Sequence, residues 1–143
     1  MNTPACNDRA AARARYAYQE VLDWSKISKP RDTARRAKGL PVQLRSQGLV
    51  VALATLMREG AAAAPLARAL AIWLLDQAPA WVGRTPGGSE PASPKVLLNA
   101  CMSAGRAEYQ AAETEALAFL EQIKLFSDAC WGTQDEQESG DGR

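Results

Sequence analysis

A chain of 143 residues, 47% of them hydrophobic, is long enough for one domain with a real core. Its 17 basic and 16 acidic residues nearly cancel, but they are segregated: residues 1–72 hold 12 Lys/Arg and 5 Asp/Glu, and residues 73–143 hold 5 and 11. There is no histidine, which excludes histidine general bases, histidine metal ligands and Ser–His or Cys–His nucleophile pairs.

Abundant alanine, sparse β-branched residues and apolar spacings of three and four predict an all-α fold. The expectation is a compact single-domain bundle of about five to seven helices over residues 1–131. The loop 83–94 lies inside that domain, and an acidic, disordered tail occupies 132–143.

The first helix is expected to run to about Ile27, capped by Asn7 or Asp8. Its apolar marks are Ala10, Ala14, Ala17, Val21, Trp24 and Ile27, and Arg9, Arg13, Arg15 and Glu20 are expected to stay in water. Tyr16 and Tyr18 fall on opposite sides, so at most one is fully core. Ser28-Lys29-Pro30 breaks the chain. The stretch Arg31–Lys38 that follows has little apolar content and many positive charges, which suits a solvated face or a phosphate-contacting one.

Leu40–Met57 (LPVQLRSQGLVVALATLM) is the most apolar stretch, expected at the centre of the bundle with the other segments packed around it. Pro41 suits a first helical turn, and Gly48 predicts a kink or short break. The next helix opens near Pro65, carries the stripe Leu66, Ala69, Leu70, Trp73, Leu74 and Gln77, and stops near Pro79. Trp73 is expected in the core.

Pro94 opens a short helix, Lys95–Met102, expected to be mostly buried. The last helix, from Arg106 to about Trp131, shows the stripe Tyr109, Ala112, Ala116, Phe119, Leu120, Ile123 and Phe126. Glu108, Glu113, Glu115 and Glu121 are expected on its wet side.

Cys6, Cys101 and Cys130 are odd in number and form no CxxC, which predicts free thiols in a reducing compartment. Cys101 and Cys130 are expected as small core residues. The N-terminus is polar and no apolar run approaches the length of a membrane span, so a cytoplasmic protein without a membrane partner is expected. Glu113 and Glu115, two apart on a helix, make a poor acid/base pair, and no residue cluster suggests a metal. The expectation is no enzyme, no catalytic residue and no cofactor.

Three stretches resemble a known family. Arg13-Ala14-Arg15-Tyr16-Ala17-Tyr18-Gln19-Glu20-Val21 is similar to its opening helix. Leu40-Pro41, then Gln47-Gly48-Leu49 and Ala52-Leu53-Ala54, is similar to its central segment. Tyr109, Glu113-Thr114-Glu115-Ala116-Leu117 and Lys124-Leu125-Phe126 are similar to its closing helix. The family is the small α-helical subunit of the type III-B CRISPR RAMP-module (Cmr) effector complex.

The resemblance implies a non-catalytic subunit whose copies stack in a row beside the backbone and large subunits. They would line the channel that holds guide RNA and target RNA. It supplies no contact residues. Charge alone points to Arg13, Arg35, Arg36, Lys38 and Arg45 as RNA-phosphate contacts. The competing expectation is a helical protein–protein adaptor without nucleic-acid binding.

Overall fold

The computed structural model describes residues 5–77 and 90–132, with side chains from Asp8 onward. Among these residues the chain forms seven α-helices and no strand. They are α1 (Ala5–Asp23), α2 (Pro30–Lys38), α3 (Leu40–Gln47), α4 (Leu49–Glu59), α5 (Ala64–Ile72), α6 (Pro94–Ser103) and α7 (Arg106–Ser127). One 3₁₀ turn (Trp24–Lys26) and two π turns (Trp73–Gln77 and Asp128–Gly132) extend α1, α5 and α7. The expectations for Cys6, Pro79, residues 83–89 and residues 133–143 lie outside the described residues or side chains.

Helix starts follow proline chemistry. Pro30, Pro41, Pro65 and Pro94 each sit in a first turn, where a missing N–H leaves nothing unpaired. At α6 the Ser93 hydroxyl also accepts the Val96 N–H at 3.2 Å. Helix α1 already includes Ala5, so Asn7 and Asp8 lie within its first turn and do not cap it.

The organising helix is α7, which packs against α1, α2, α3, α4 and α5. This corrects the expectation for Leu40–Met57. Leu40, Leu44, Leu49, Ala52, Leu53 and Leu56 are buried, but Val42, Val51 and Met57 face solvent. An apolar stretch there reflects two half-buried helices rather than one central helix. Helix α6 is also less buried than expected. Leu97 and Cys101 are its only fully buried residues, and Met102 is exposed. Cys130 is exposed as well, because the closing π turn takes more residues per turn and carries it off the α7 stripe. Gly132, assigned to the tail, is the buried last residue of that turn.

The core between α1, α5 and α7 is aromatic. The Trp73 and Phe119 rings stack at 5.6 Å, and Tyr16 lies over both, at 5.7 Å and 5.8 Å. Tyr18 stays exposed on the outside of α1, edge-on to Phe126.

The break at Gly48 is set from α7. Gly48 has φ +89° and ψ 165°, a region open essentially to glycine. Just past it, the first two amides of α4 are capped across the bundle. The Glu113 carboxylate accepts the Leu49 N–H at 2.9 Å, and the Tyr109 hydroxyl accepts the Val50 N–H at 3.0 Å. Burial, with the Glu113 carboxylate nearby, raises the pKa of that hydroxyl.

Two outcomes follow from this packing. A Cβ at residue 48 would meet Glu113 Oε2 at 3.1 Å as well as the wrong backbone region. Gly48→Ala should therefore cost about 2–3 kcal/mol in urea unfolding. Burial, aided by the nearby Glu113 carboxylate, pushes the Cys101 thiol up to about 12. An unfolded chain loses that proton from about pH 9, so this contribution to stability is intact below pH 9 and is lost as pH rises toward 12. The unfolding free energy should fall above pH 9 with a slope of up to about 1.4 kcal/mol per pH unit from this thiol, and Cys101→Ala should fall less steeply.

Candidate nucleic-acid interface

Helix α2 carries the highest positive charge density in the described structure. Residues 26–38 hold six Lys/Arg against Asp32 alone. Only Thr33, Ala34 and Ala37 turn inward, and the Thr33 hydroxyl donates to the Ala62 carbonyl at 2.7 Å. The small buried face lets α2 lie close against α7 and the closing π turn, with Arg35 exposed and Arg31, Arg36 and Lys38 half-buried.

The five predicted contact residues separate into different surroundings. Arg35 is an open surface cation with its side chain 64% exposed, paired to Asp32 one turn back at 2.9 Å. Arg36 is more confined. Its Nε donates to Glu59 at the end of α4 at 2.6 Å, and a second nitrogen donates to Gln43 on α3 at 2.6 Å. Lys38 reaches toward Gly132 and stands 3.6 Å from where a Cβ of that residue would lie. Arg45 is tied to Glu121 of α7. Arg35, Arg36 and Lys38 therefore share one helix, and Arg45 belongs to the α3–α7 flank.

Arg13 is placed inside the bundle. It makes a two-pronged bond to Glu115, at 2.7 Å through Nε and 3.0 Å through a terminal nitrogen. The two side chains are 19% and 8% exposed. Glu115 also accepts the Trp73 indole N–H at 2.8 Å, and Arg9 approaches it from the rim at 3.9 Å. This corrects the expectation that Arg13 and Glu115 both stay in water. Glu20 is likewise drawn in, accepting the Trp24 indole N–H at 3.2 Å, and burial raises its pKa.

Two shallow grooves adjoin the basic residues. One, of about 390 Å³, is lined by Asp32, Arg35, Arg36, Glu59, Ala62 and Ala63. The other, of about 290 Å³, lies beside Arg45, Gly48, Glu113 and Thr114. Both are mixed in charge and open to water, which suits a backbone-tracking contact better than an enclosed small-molecule site. Among the described residues no cluster of His, Cys, Asp or Glu has the makings of a metal site. No helix of the described residues is long and apolar enough to cross a membrane.

The sequence and the helical fold both have counterparts among known proteins. The model of the CRISPR-associated protein family Cas_Cmr5 matches residues 9–130. The chain belongs to the Cmr5 family. It is also similar to the X-ray structure of a CRISPR-associated Cmr5 family protein from Thermus thermophilus. The two share 28% sequence identity and superpose with a TM-score of 0.70, over 90% of this chain and 97% of that one. No curated protein matches the sequence. Cmr5 membership makes the chain a small subunit of a type III-B CRISPR complex, in a family that is the non-catalytic small subunit of that complex.

The stretches by which the sequence resembles the Cmr small subunit touch one another. Gly48 and Leu49 meet Tyr109 and Glu113, and Arg13 meets Glu115. They belong to the frame of α1, α3, α4 and α7 against which α2 packs. Arg13→Met should accordingly cost about 2–4 kcal/mol, since it leaves a buried carboxylate with one full partner fewer. Combining it with Glu115→Gln, which keeps an acceptor for Trp73, should recover at least half of that loss in a denaturant titration.

Proposed function

We propose that this Cmr5-family chain lines the guide and target RNA channel of its complex and contacts RNA phosphates through α2. The observation that supports this most is the basic edge of α2, where charge is concentrated and, among the described residues, no aromatic platform or base-reading pocket accompanies it. Such a surface grips the backbone of any sequence. The contact set is Arg35, Arg36 and Lys38, with Arg45 on the neighbouring flank. Arg13 is left out because Glu115 occupies its guanidinium. Arg36 keeps Glu59 and Gln43 as partners, and its planar fork has five N–H groups, enough to hold them and meet a phosphate. In this role the subunit is cytoplasmic and performs no chemistry itself.

A protein-docking role has its own observation. Val42, Val51, Met57 and Met102 are exposed on α3, α4 and α6. Apolar side chains of that size suit a protein partner, whether a backbone subunit, the large subunit or another copy stacked in the row. A channel-lining subunit uses both surfaces, whereas a pure adaptor would use this one alone.

The two are separated by titrating a fluorescein-labelled oligouridine with the purified chain at several salt concentrations. Affinity should fall steeply with salt. The triple variant Arg35→Ala/Arg36→Ala/Lys38→Ala should reduce the logarithmic salt slope by about 2, while Arg13→Met leaves it unchanged. A triple variant that keeps its circular dichroism spectrum and binds with the original slope would remove α2 from the interface. Absence of binding even at low salt would favour the adaptor.

A further inference from the structure

The molecule holds a second polyanion of its own. Residues 133–143 contain Asp135, Glu136, Glu138 and Asp141 against Arg143 alone. The last described residue before them, Gly132, is buried beside the carboxyl end of α2, with the Lys38 ammonium 3.6 Å from its Cβ position. Thus the most acidic run of the sequence follows directly on a residue that lies beside the end of the most basic helix.

We propose that the acidic segment 133–143 docks on the basic edge of α2 in the same molecule and competes there with RNA phosphate. The occupant is fixed by charge and by reach. Arg31, Arg35 and Lys38 follow one another along α2 at spacings of four and three, so they lie along one side of the helix. From Lys38 back to Arg31 is about 10 Å of helix. Asp135, Glu136 and Glu138 stand three to six residues beyond Gly132. That is about 10–20 Å of extended chain, enough to pass from one end of the basic edge to the other. Attachment at Gly132 holds these carboxylates at an effective concentration in the millimolar range. A second copy in solution cannot match that except when highly concentrated.

The pairs formed are exposed and exchange readily, so they do not lock the segment down. They lower the apparent affinity of α2 for RNA by the fraction of time the edge is covered, about three- to tenfold at low salt. A longer, denser polyanion that is already aligned with the subunit displaces the segment, and a stray fragment does not. The competition rests on the RNA-contacting role of α2, whereas the docking itself does not.

The test uses the full chain and the variant Asp135→Asn/Glu136→Gln/Glu138→Gln/Asp141→Asn, whose changes leave the helices α1–α7 untouched. Labelled oligouridine is titrated against both at low salt and at half-molar salt. Backbone amide resonances of residues 133–143 are followed without RNA. The expected result is three- to tenfold tighter binding by the neutral variant at low salt only, with amide resonances of the acidic segment that move with salt in the parent chain and in the double variant Arg31→Gln/Arg35→Gln move much less. Equal RNA affinity for parent and variant, with amide resonances indifferent to salt and to Arg31→Gln/Arg35→Gln, overturns the proposal. If the resonances respond but neither protein binds RNA, the docking is supported and the RNA-contacting role of α2 is overturned. Resonance shifts that grow with protein concentration assign the contact to a neighbouring copy and overturn the intramolecular form.

Discussion

The amides of Leu49 and Val50 begin a helix and so have no acceptor in their own segment; the bundle is arranged so that α7 provides one for each. A helix start buried without partners would cost several kcal/mol in unpaired donors. Here Glu113 and Tyr109 supply the acceptors from two neighbouring turns of α7. Two residues further on, from another side of the longest described helix, Glu115 turns inward to Arg13 of α1 and Trp73 beyond α5. Polar side chains thus fix the position of α4 and α1 against α7, and the aromatic stack of Tyr16, Trp73 and Phe119 fills the space between them. Hydrophobic burial makes the bundle compact. Directional bonds to one helix decide which bundle it is.

This arrangement explains why the chain separates into a frame and a surface. The frame is rich in the residues by which the chain resembles the Cmr small subunit, and these residues contact one another. Helix α2, with the basic edge, carries none of those motifs. It is held by small contacts, Thr33 on the Ala62 carbonyl and two alanines against α7, and by Arg36 reaching α3 and α4. A helix attached in this way can exchange its outward side chains without disturbing the core. Contact residues for a polyanion are therefore expected to lie where the family-like motifs do not.

Much of the fold was legible from periodicity and proline. The spacing of Ala112, Ala116, Phe119, Leu120 and Ile123 placed α7, the proline positions placed the starts of α3, α5 and α6, and Gly48 placed the α3–α4 break, whereas Pro30 read only as a break although it opens α2. What failed were inferences from residue type alone. Glu115 was assigned to water because it is charged, although it stands three residues after Ala112 and four before Phe119, on the apolar stripe itself. That spacing, with Arg13 on the inner side of α1, was the available signal for a buried pair. The central place assigned to Leu40–Met57 came from its apolar content, but a helix wedged between neighbours and a helix half-covered at the edge can have the same composition. The candidate interface was legible only as charge density. Sequence could not say that Arg13 is consumed inside, or that Arg45 turns to α7, because both depend on contacts between residues far apart in the chain.

The Gly48 junction also constrains how this sequence can drift. The glycine, the phenol and the carboxylate form one steric and hydrogen-bonded unit, with no free space for a Cβ. A change at any one of the three positions is penalised while the other two remain. The backbone at 48 excludes a side chain whatever stands opposite it, so the glycine is the fixed member of the three, and positions 109 and 113 can drift only as far as they keep an acceptor for the Val50 and Leu49 amides.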